Sequence, residues 1–302
     1  MAYYSGSANS LADILSALQA ACIAHGWSVV GGGNVLQKGS AYVAVTVSGN
    51  SLFVRGGTGV SGTTVSGASP YSVRLGELNS SVALAWPSSY EIFLFEEPDE
   101  VFLVVNSNVD RYYWLAFGIS AISGVPGTGL WFGATSSDST AGSIWISATG
   151  GGTAEGGPFP TSAALFWTTV YAQNAYIHHD FDGLGWGPGK PQNLLTTIGA
   201  PNAVTCAAPH IERTPASWNG ESMLIPIQVF VCRASSKRSL ACDLLNARYV
   251  RLNNYDPGQI LTLGPDRWKI LPWYKKNGAV PNGGNGISHT GTFGWAVRYD
   301  GP

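Results

Sequence analysis

The chain has 302 residues, of which 45% are apolar and only 11% are charged, where a typical soluble domain has about 25% charged residues. Its net charge of −2 combines about −7 in residues 1–210 (5 Lys/Arg, 12 Asp/Glu) with about +5 in residues 211–302 (11 Lys/Arg, 6 Asp/Glu). The basic part is expected to face the acidic part of the same chain or of a neighbouring copy rather than nucleic acid, and no apolar run reaches the roughly 18 residues of a membrane span.

The first periodic segment, NSLADILSALQAACIAHGW, predicts one amphipathic helix. Asn9 or Ser10 is suited to cap its start, with Asp13 in the first turn. His25 and Gly26 fit its end, where a cation and a left-handed residue are favoured. The apolar residues recur at spacings of three and four, as expected for a face that packs on a core; they are Leu11, Ile14, Leu15, Leu18 and Cys22.

After this helix the apolar period changes to two, which indicates antiparallel strands. AYVAVTV and SLFVR alternate and are separated by SGN, a sequence that favours a hairpin turn. YEIFLF and EVFLVVN form a second pair of strands, and RYYWLAFG continues as an aromatic strand or short buried element. These segments predict an N-terminal domain, residues 1–118, in which a helix packs on an antiparallel sheet.

Four carboxylates, Glu96, Glu97, Asp99 and Glu100, lie between the strands of the second pair. Because Pro98 and Asp99 are turn formers, the four are predicted to form the polar tip of a hairpin rather than a catalytic cluster. At such a tip they would be solvated with ordinary pKa values, whereas general acid–base catalysis usually needs a perturbed group in a cleft. We therefore expect the fold to tolerate their joint replacement by amides.

Residues 119–161 are rich in Gly, Ser and Thr but also contain Trp131, Phe132 and Trp145. A flexible linker would lack these rings, so two short strands with long loops are predicted, followed by a flexible stretch near residues 150–157. Residues 162–222 show little periodicity. They contain the strongest candidate metal motif, HHDFDG at residues 178–183.

The HHDFDG motif places His178, His179, Asp180 and Asp182 within five residues. A polar loop is nevertheless favoured over a metal site, because adjacent histidines on a strand point apart and the Ca²⁺-loop pattern fails after residue 183.

The remaining motifs indicate no catalytic, cofactor or metal site. GTGVSG, residues 57–62, matches the dinucleotide pattern GxGxxG by chance, since no helix is predicted after it. His210 and His289 are isolated, and nothing pairs Ser222 with a base. A pair of carboxylates for glycoside hydrolysis is neither indicated nor excluded.

Four cysteines, Cys22, Cys206, Cys232 and Cys242, form no CxxC pair and fit no zinc template. Cys22 lies on the apolar face of the predicted helix as a small hydrophobic residue. Cys232 and Cys242 could form a disulfide in an oxidising compartment, but no signal peptide precedes them. This favours a soluble protein made in a reducing cytoplasm.

The last eighty residues contain five strand-like segments: MLIPIQVFVCR, ARYVRLNN, QILTLG, RWKILPWYKK and TFGWAVRYDG. YDPGQ and GPDR are strong turn signals between them. Lys269, between Trp268 and Ile270, is predicted to point to solvent or to a partner. Residues 162–302 are therefore predicted to form a β-sandwich-like or barrel-like C-terminal domain, in a chain that is mainly β (α+β).

Four stretches of the chain resemble uncharacterised virion structural proteins of tailed bacteriophages and prophages. They are YYSGSANSLADILSAL, YEIFLFEEPDEVFLVVNSNVDRYYWLAFG, YDPGQILTLGPDRWKILPWYKKN and HTGTFGWAVRYDGP. The resemblance covers both ends of the chain and not residues 119–210, and no catalytic residue comes with it.

This resemblance implies a structural subunit of the tail, baseplate or head–tail connection, assembled in the host cytoplasm as a homo-oligomer with other virion proteins. The composition agrees with it, because low charge and many aromatic residues are typical of proteins that bury surface against partners. Opposed charges on the two parts would suit contacts around a ring. The alternatives are a carbohydrate-binding module, whose exposed Trp and Tyr would stack on host glycan, and a hydrolase of cell-wall glycan.

Overall fold

The computed structural model describes residues 1–76, 83–109, 111–137, 164–166, 174–188, 204–206, 223–235, 237–252, 255–274, 276 and 293–302. This part of the chain is mainly β, with one α-helix near the N-terminus and several antiparallel sheets. The predicted fold class is thereby confirmed. The described strands form open, stacked sheets in a sandwich-like arrangement and no closed barrel.

One helix and twenty-one strands lie in the described residues. In chain order they are β1 Ala2–Ala8, α1 Leu11–Ala24, β2 Ser28–Val30, β3 Val35–Lys38, β4 Ala41–Ser48, β5 Ser51–Gly57, β6 Gly59–Ser61, β7 Thr64–Ser66, β8 Val73–Gly76, β9 Ser88–Glu96, β10 Asp99–Asn108, β11 Arg111–Ile119, β12 Leu130–Ala134, β13 Ser136–Ser137, β14 Ala175–His178, β15 Trp186–Pro188, β16 Val204–Cys206, β17 Ile225–Cys232, β18 Arg238–Arg251, β19 Ile260–Leu263, β20 Asp266–Pro272 and β21 Phe293–Arg298. Two short 3₁₀ turns span Gly31–Gly33 and Phe181–Gly183.

These strands form three large sheets. The central sheet has the order β1-β9-β10-β11-β12-β14-β15, the N-terminal sheet β13-β8-β5-β4-β3-β2, and the C-terminal sheet β16-β17-β18-β21-β20-β19. β6 and β7 form a separate hairpin. The predicted SGN turn joins β4 to β5, and its Gly49 has a left-handed φ of 54°, which glycine adopts without steric cost.

The inner strands β10, β11 and β12 of the central sheet are buried on both faces, which explains why they read as nearly continuous apolar runs. Phe102 of β10 pairs with Phe93 of β9, and its ring centroid lies 5.4 Å from that of Trp295 in the C-terminal sheet. Phe117 of β11 points to the opposite face, where its ring lies 5.2 Å from that of Trp27, which follows α1. The N-terminal sheet with α1 therefore covers one face, and the C-terminal sheet covers the other.

Aromatic side chains fill the layer between the central and C-terminal sheets. Trp114, Trp273 and Trp295 are fully buried, with ring centroids 4.5–5.3 Å apart. Seven of the eight tryptophans in the described residues are buried: Trp27, Trp114, Trp131, Trp186, Trp268, Trp273 and Trp295. Trp86 is the exception, at 36% exposure. These seven side chains therefore build the core of the fold.

Helix α1 begins and ends as its sequence predicts. The Ser10 hydroxyl accepts a hydrogen bond from the Asp13 N–H (3.1 Å), and the Asp13 carboxylate accepts one from the Asn9 N–H (2.9 Å). These two bonds hold the helix start in a reciprocal cap. The helix ends at Ala24, and Gly26 takes a left-handed φ of 81°. The buried face comprises Leu11, Ile14, Leu18, Ala21 and Cys22.

We expect Leu18→Ala to lower the free energy of unfolding by about 2–5 kcal/mol, because truncating a fully buried leucine leaves a cavity. Leu15→Ala should cost less, since Leu15 is only half-buried although its spacing predicts the buried face. Asp13→Ala, at an exposed position, removes one bond of the helix cap, which costs about 1 kcal/mol, and should also cost less than Leu18→Ala. Urea denaturation measures all three, and equal small effects would show that the helix is not docked through this face.

The central sheet extends across the predicted division of the chain into three parts. β11 ends at Ile119, and the central sheet continues through β12, β14 and β15. The principal hydrophobic cluster contains side chains from Ala8 to Tyr299. The division into residues 1–118, 119–161 and 162–302 stays a prediction, although hydrogen-bonded strands of one sheet join its first part to the two that follow.

Candidate functional site

The β9–β10 hairpin ends in an acidic tip, which comprises Glu96, Glu97, Asp99 and Glu100. β9 ends at Glu96, β10 begins at Asp99, and these two residues are paired. Glu97 and Pro98 therefore form the turn, as the sequence predicts, and Glu97 is exposed. The other three carboxylates each have a specific partner elsewhere in the fold.

Glu96 belongs to a row of three hydrogen-bonded side chains on the surface. Its Oε1 lies 2.8 Å from His25 Nδ1, and His25 Nε2 lies 2.9 Å from the Tyr4 hydroxyl. The hydrogen bond from His25 lowers the pKa of Glu96. This row connects the hairpin to the residue that follows α1 and to β1, so it supports the arrangement of three elements.

Asp99 forms an ion pair with Lys38 of β3, with 2.5 Å between Oδ1 and Nζ. The two side chains are only 16% and 24% exposed, so solvent and salt screen the pair less than they screen a surface pair. Lys38 also donates a hydrogen bond to the His25 carbonyl at 3.0 Å. Asp99 therefore links the central sheet to the N-terminal sheet.

Glu100 contradicts the prediction that the acidic tip is solvated, because its side chain is fully buried. It lies between Phe95 and Gly118 in the central sheet and faces the C-terminal sheet. Its Oε1 accepts a hydrogen bond from the Leu245 N–H (3.0 Å), and its Oε2 accepts bonds from the Asn246 N–H (3.0 Å) and Asn246 Nδ2 (2.9 Å). Burial raises the pKa of Glu100 to about 7, and these donors oppose the rise.

The donors come from an irregularity in β18. The β17–β18 pairing loses register between Pro226 and Ile227, which leaves residues 245–247 of β18 without partners in β17. A bulge of this kind disrupts the ladder locally, and two of its N–H groups bond to Glu100 instead. Arg248 stabilises the bulge by donating hydrogen bonds to the carbonyls of Leu244, before it, and Ala247, at its end, at 2.6 and 2.8 Å.

A cleft of about 390 Å³ lies beside the acidic tip. Its ionisable wall residues are His25, Glu96, Glu97, Arg298 and Asp300. A carboxyl with a raised pKa beside ionised carboxylates is typical of glycoside hydrolases. Glu100, however, has no exposed surface, and Asn246, which holds it, forms part of the cleft wall. The geometry supports a structural role for Glu100 rather than a catalytic one.

The two histidines of the HHDFDG motif bond to different backbone groups. His178 Nδ1 accepts a hydrogen bond from the Thr128 N–H at 3.0 Å, and burial lowers the pKa of His178. His179 is fully buried, and its Nδ1 accepts a hydrogen bond from the Phe181 N–H at 3.1 Å. Each ring therefore serves to shape the loop.

The two aspartates of the motif are also engaged within the chain. Asp180 Oδ1 accepts a hydrogen bond from the Gly185 N–H at 3.2 Å, and Asp182 forms an ion pair with Arg233. In the part of the chain that the structure describes, no three His, Cys, Asp or Glu side chains are grouped to hold a metal ion. The four side chains of the motif thus bond to separate groups within the chain, and the preference for a polar loop over a metal site stays a prediction.

The GxGxxG match folds as a hairpin. Gly57 ends β5, and the next residues form β6, which pairs with β7; a dinucleotide site requires a helix there. Cys22, Cys232 and Cys242 are buried free thiols, so the disulfide considered for the last two is not formed. The side chain of Cys206, and Trp145, residues 150–157, His210, Ser222 and His289, lie outside the described residues.

Basic residues of the C-terminal part contact acidic residues of the N-terminal part inside the chain. Lys269, predicted to face solvent or a partner, forms an ion pair with Glu91 of the central sheet and lies 5.3 Å from the ring centroid of Tyr3. Arg233 pairs in the same way with Asp182. For these residues, attraction within one chain is the alternative that the structure favours.

We expect Glu91→Gln and Lys269→Met to be coupled by about 1–3 kcal/mol in the free energy of unfolding. Both side chains are less than a quarter exposed, at 23% and 14%, so either single substitution leaves the other charge partly buried without its partner. A double-mutant cycle in urea measures the coupling. The exposed Asp266–Arg298 pair (38% and 44% exposed) is the control and should give below about 1 kcal/mol.

Sequence comparison with known proteins assigns this chain to no family. No protein-family model matches the chain, and no curated protein matches it. Among the helices of the described residues, none has the length and apolar character needed to cross a membrane.

Proposed function

We propose that this protein is a structural, non-enzymatic subunit of a tailed-bacteriophage virion, in the tail, baseplate or head–tail connection. It associates with further copies of itself and with other virion proteins, after synthesis in the host bacterial cytoplasm. The observation that carries the proposal is that charged side chains bond the sheets to one another inside the fold. Glu91, Asp99 and Glu100 each bond the central sheet to a neighbouring sheet.

The described residues of the four stretches that resemble virion proteins are neighbours in the structure. The first stretch covers most of β1 and the start of α1, the second most of β9, all of β10 and most of β11, the third β19 and β20, and the fourth β21. Trp114 of the second stretch, Trp273 of the third and Trp295 of the fourth contact one another. The resemblance thus falls on residues that pack two sheets together, which supports a shared structural role over a shared chemical site.

The two alternative functions have less support. Sugar binding uses exposed aromatic rings, and most tryptophans of the described residues are buried. Glycoside hydrolysis needs two accessible carboxyl groups, and Glu100, whose pKa is raised, is enclosed by the fold.

Antibody labelling of purified particles tests the proposal. Gold-labelled antibody against the chain should mark one fixed position on the phage particle, and the chain should stay with particles after a high-salt wash. A phage that lacks the gene should accumulate particles arrested before the tail or connector is complete. Absence of the chain from particles, or turnover of cell-wall glycan by the purified protein, would contradict the proposal. Binding on a glycan array without particle association would favour the carbohydrate-binding alternative.

A further inference from the structure

Strand β19 has an open outer edge. It is the last strand of the C-terminal sheet in the described part of the chain, and Ile260 and Leu263 are 38% and 40% exposed. An edge strand presents unpaired N–H and C=O groups, which proteins usually protect with charged residues, proline or a bulge. β19 (ILTL) contains no charged residue and no proline, so its own side chains do not oppose pairing with another strand. The bulge in which Gly258 and Gln259 both bond to Ile270 lies before the strand and not within it.

The hydrogen-bond alternation shows which backbone groups face this edge. Just before β19, the Gln259 carbonyl accepts a hydrogen bond from the Ile270 N–H of β20 at 2.8 Å. Groups that face the partner alternate along an antiparallel strand, so the odd-numbered residues of β19 also face β20. The N–H and C=O groups of Ile260 and Thr262 therefore point to the open edge.

The two cations opposite β19 are turned inward. Lys269, opposite Ile260, is held by Glu91. Arg267, opposite Thr262, lies over the ring of Tyr299 at 5.2 Å and donates a hydrogen bond to the Gly301 carbonyl at 3.1 Å. Neither cation is therefore free to repel a strand that approaches β19.

We propose that β19 pairs antiparallel with β19 of a second copy, so that two C-terminal sheets join across a two-fold axis at Leu261. Ile260 of each copy then exchanges hydrogen bonds with Thr262 of the other. A second copy is the occupant because this outward pair is self-complementary, as a two-fold contact requires. On this two-fold axis, a charged residue in β19 would lie close to the same residue of the second copy and repel it, but β19 contains no charged residue. The inference rests on the self-association proposed above but not on the phage particle.

Thr262→Pro tests this contact, because the Thr262 N–H points outward and proline there removes no bond between β19 and β20. We expect the wild type to form a dimer in a sedimentation series, and the variant to raise the dimer dissociation constant by about 10-fold or more. Thr262→Lys should act similarly, by placing two like charges near the axis. Thr64→Lys is the matched control, since Thr64 is an exposed threonine in the separate β6–β7 hairpin, and should leave association unchanged.

Amide hydrogen exchange on the wild type gives a second readout that needs no variant. At high concentration the N–H groups of Ile260 and Thr262 should be protected, and dilution should release them. Those of Leu261 and Leu263 should be protected at both concentrations. This contact is overturned if Thr262→Pro does not weaken the oligomer and the N–H groups of Ile260 and Thr262 exchange without protection. Self-association would then occur through another surface. A monomer at every concentration overturns both.

Discussion

Glu100→Ala is expected to lower the free energy of unfolding by about 3 kcal/mol or more. The substitution leaves two buried donors, the backbone N–H and the side-chain amide of Asn246, and the part-buried N–H of Leu245 without an acceptor. Each unsatisfied buried group costs about 1–3 kcal/mol. Glu97→Ala is the matched control three residues away, at the exposed turn, and should change stability by no more than about 0.5 kcal/mol. Urea denaturation of both variants measures the difference.

The same carboxyl group predicts how stability depends on pH. The pKa of Glu100 is about 7 in the folded protein against an ordinary value of 4.5, so the folded state binds this proton more tightly than the unfolded state does. The resulting stabilisation is complete below about pH 4.5 and is lost as pH rises through about 7, by about 3 kcal/mol in total. Wild-type stability should therefore fall between these pH values.

Glu100→Gln provides the control for this pH dependence, because an amide does not titrate. The free energy of unfolding of the wild type should exceed that of Glu100→Gln by less at about pH 8 than at about pH 5. Two results would contradict the buried position of Glu100: an equal, small cost for Glu100→Ala and Glu97→Ala, or the same pH slope in the wild type and the glutamine variant.

Trp295→Ala is expected to lower the free energy of unfolding by about 3–5 kcal/mol, the usual cost of truncating a large buried aromatic residue. Its ring is fully buried and lies 4.5 Å from that of Trp273 and 5.3 Å from that of Trp114, between centroids. Because these three side chains fill the layer between two sheets, the cavity would lie where neither sheet can close it without moving as a whole.

Near-ultraviolet circular dichroism and urea denaturation of Trp295→Ala test this packing. The spectrum should lose intensity, because the tryptophan rings form one coupled cluster. Tyr71→Ala, at a tyrosine that is 45% exposed, should cost below about 1 kcal/mol. A comparably small cost for Trp295→Ala would show that the central and C-terminal sheets do not pack as described.

The elements near the start of the chain could be predicted because their signals are local. The spacing of Ile14 and Leu18, the Ser10 cap and Gly26 all lie within one helix and its flanks, and they act through bonds between neighbouring residues. The turns at SGN and EEPD are equally local. For the candidate site, the sequence located the hairpin tip and the loop at residues 178–183 but not the surroundings of each side chain.

Those surroundings were decided by contacts between distant residues. Glu100 is held by Leu245, 145 residues further along the chain, and Glu91 by Lys269, 178 residues away. The sequence contained one indication that Glu100 is buried: residues two apart in a strand lie on the same face, so Glu100 shares a face with the apolar Phe102. A single sequence window cannot show whether that face meets water or another sheet, since this depends on which strands pack together. The sequence by itself therefore determined the helix, the turns and the strand character, whereas the tertiary structure alone decided which charges are buried, because burial and hydrogen-bond donors come from the packing of whole sheets.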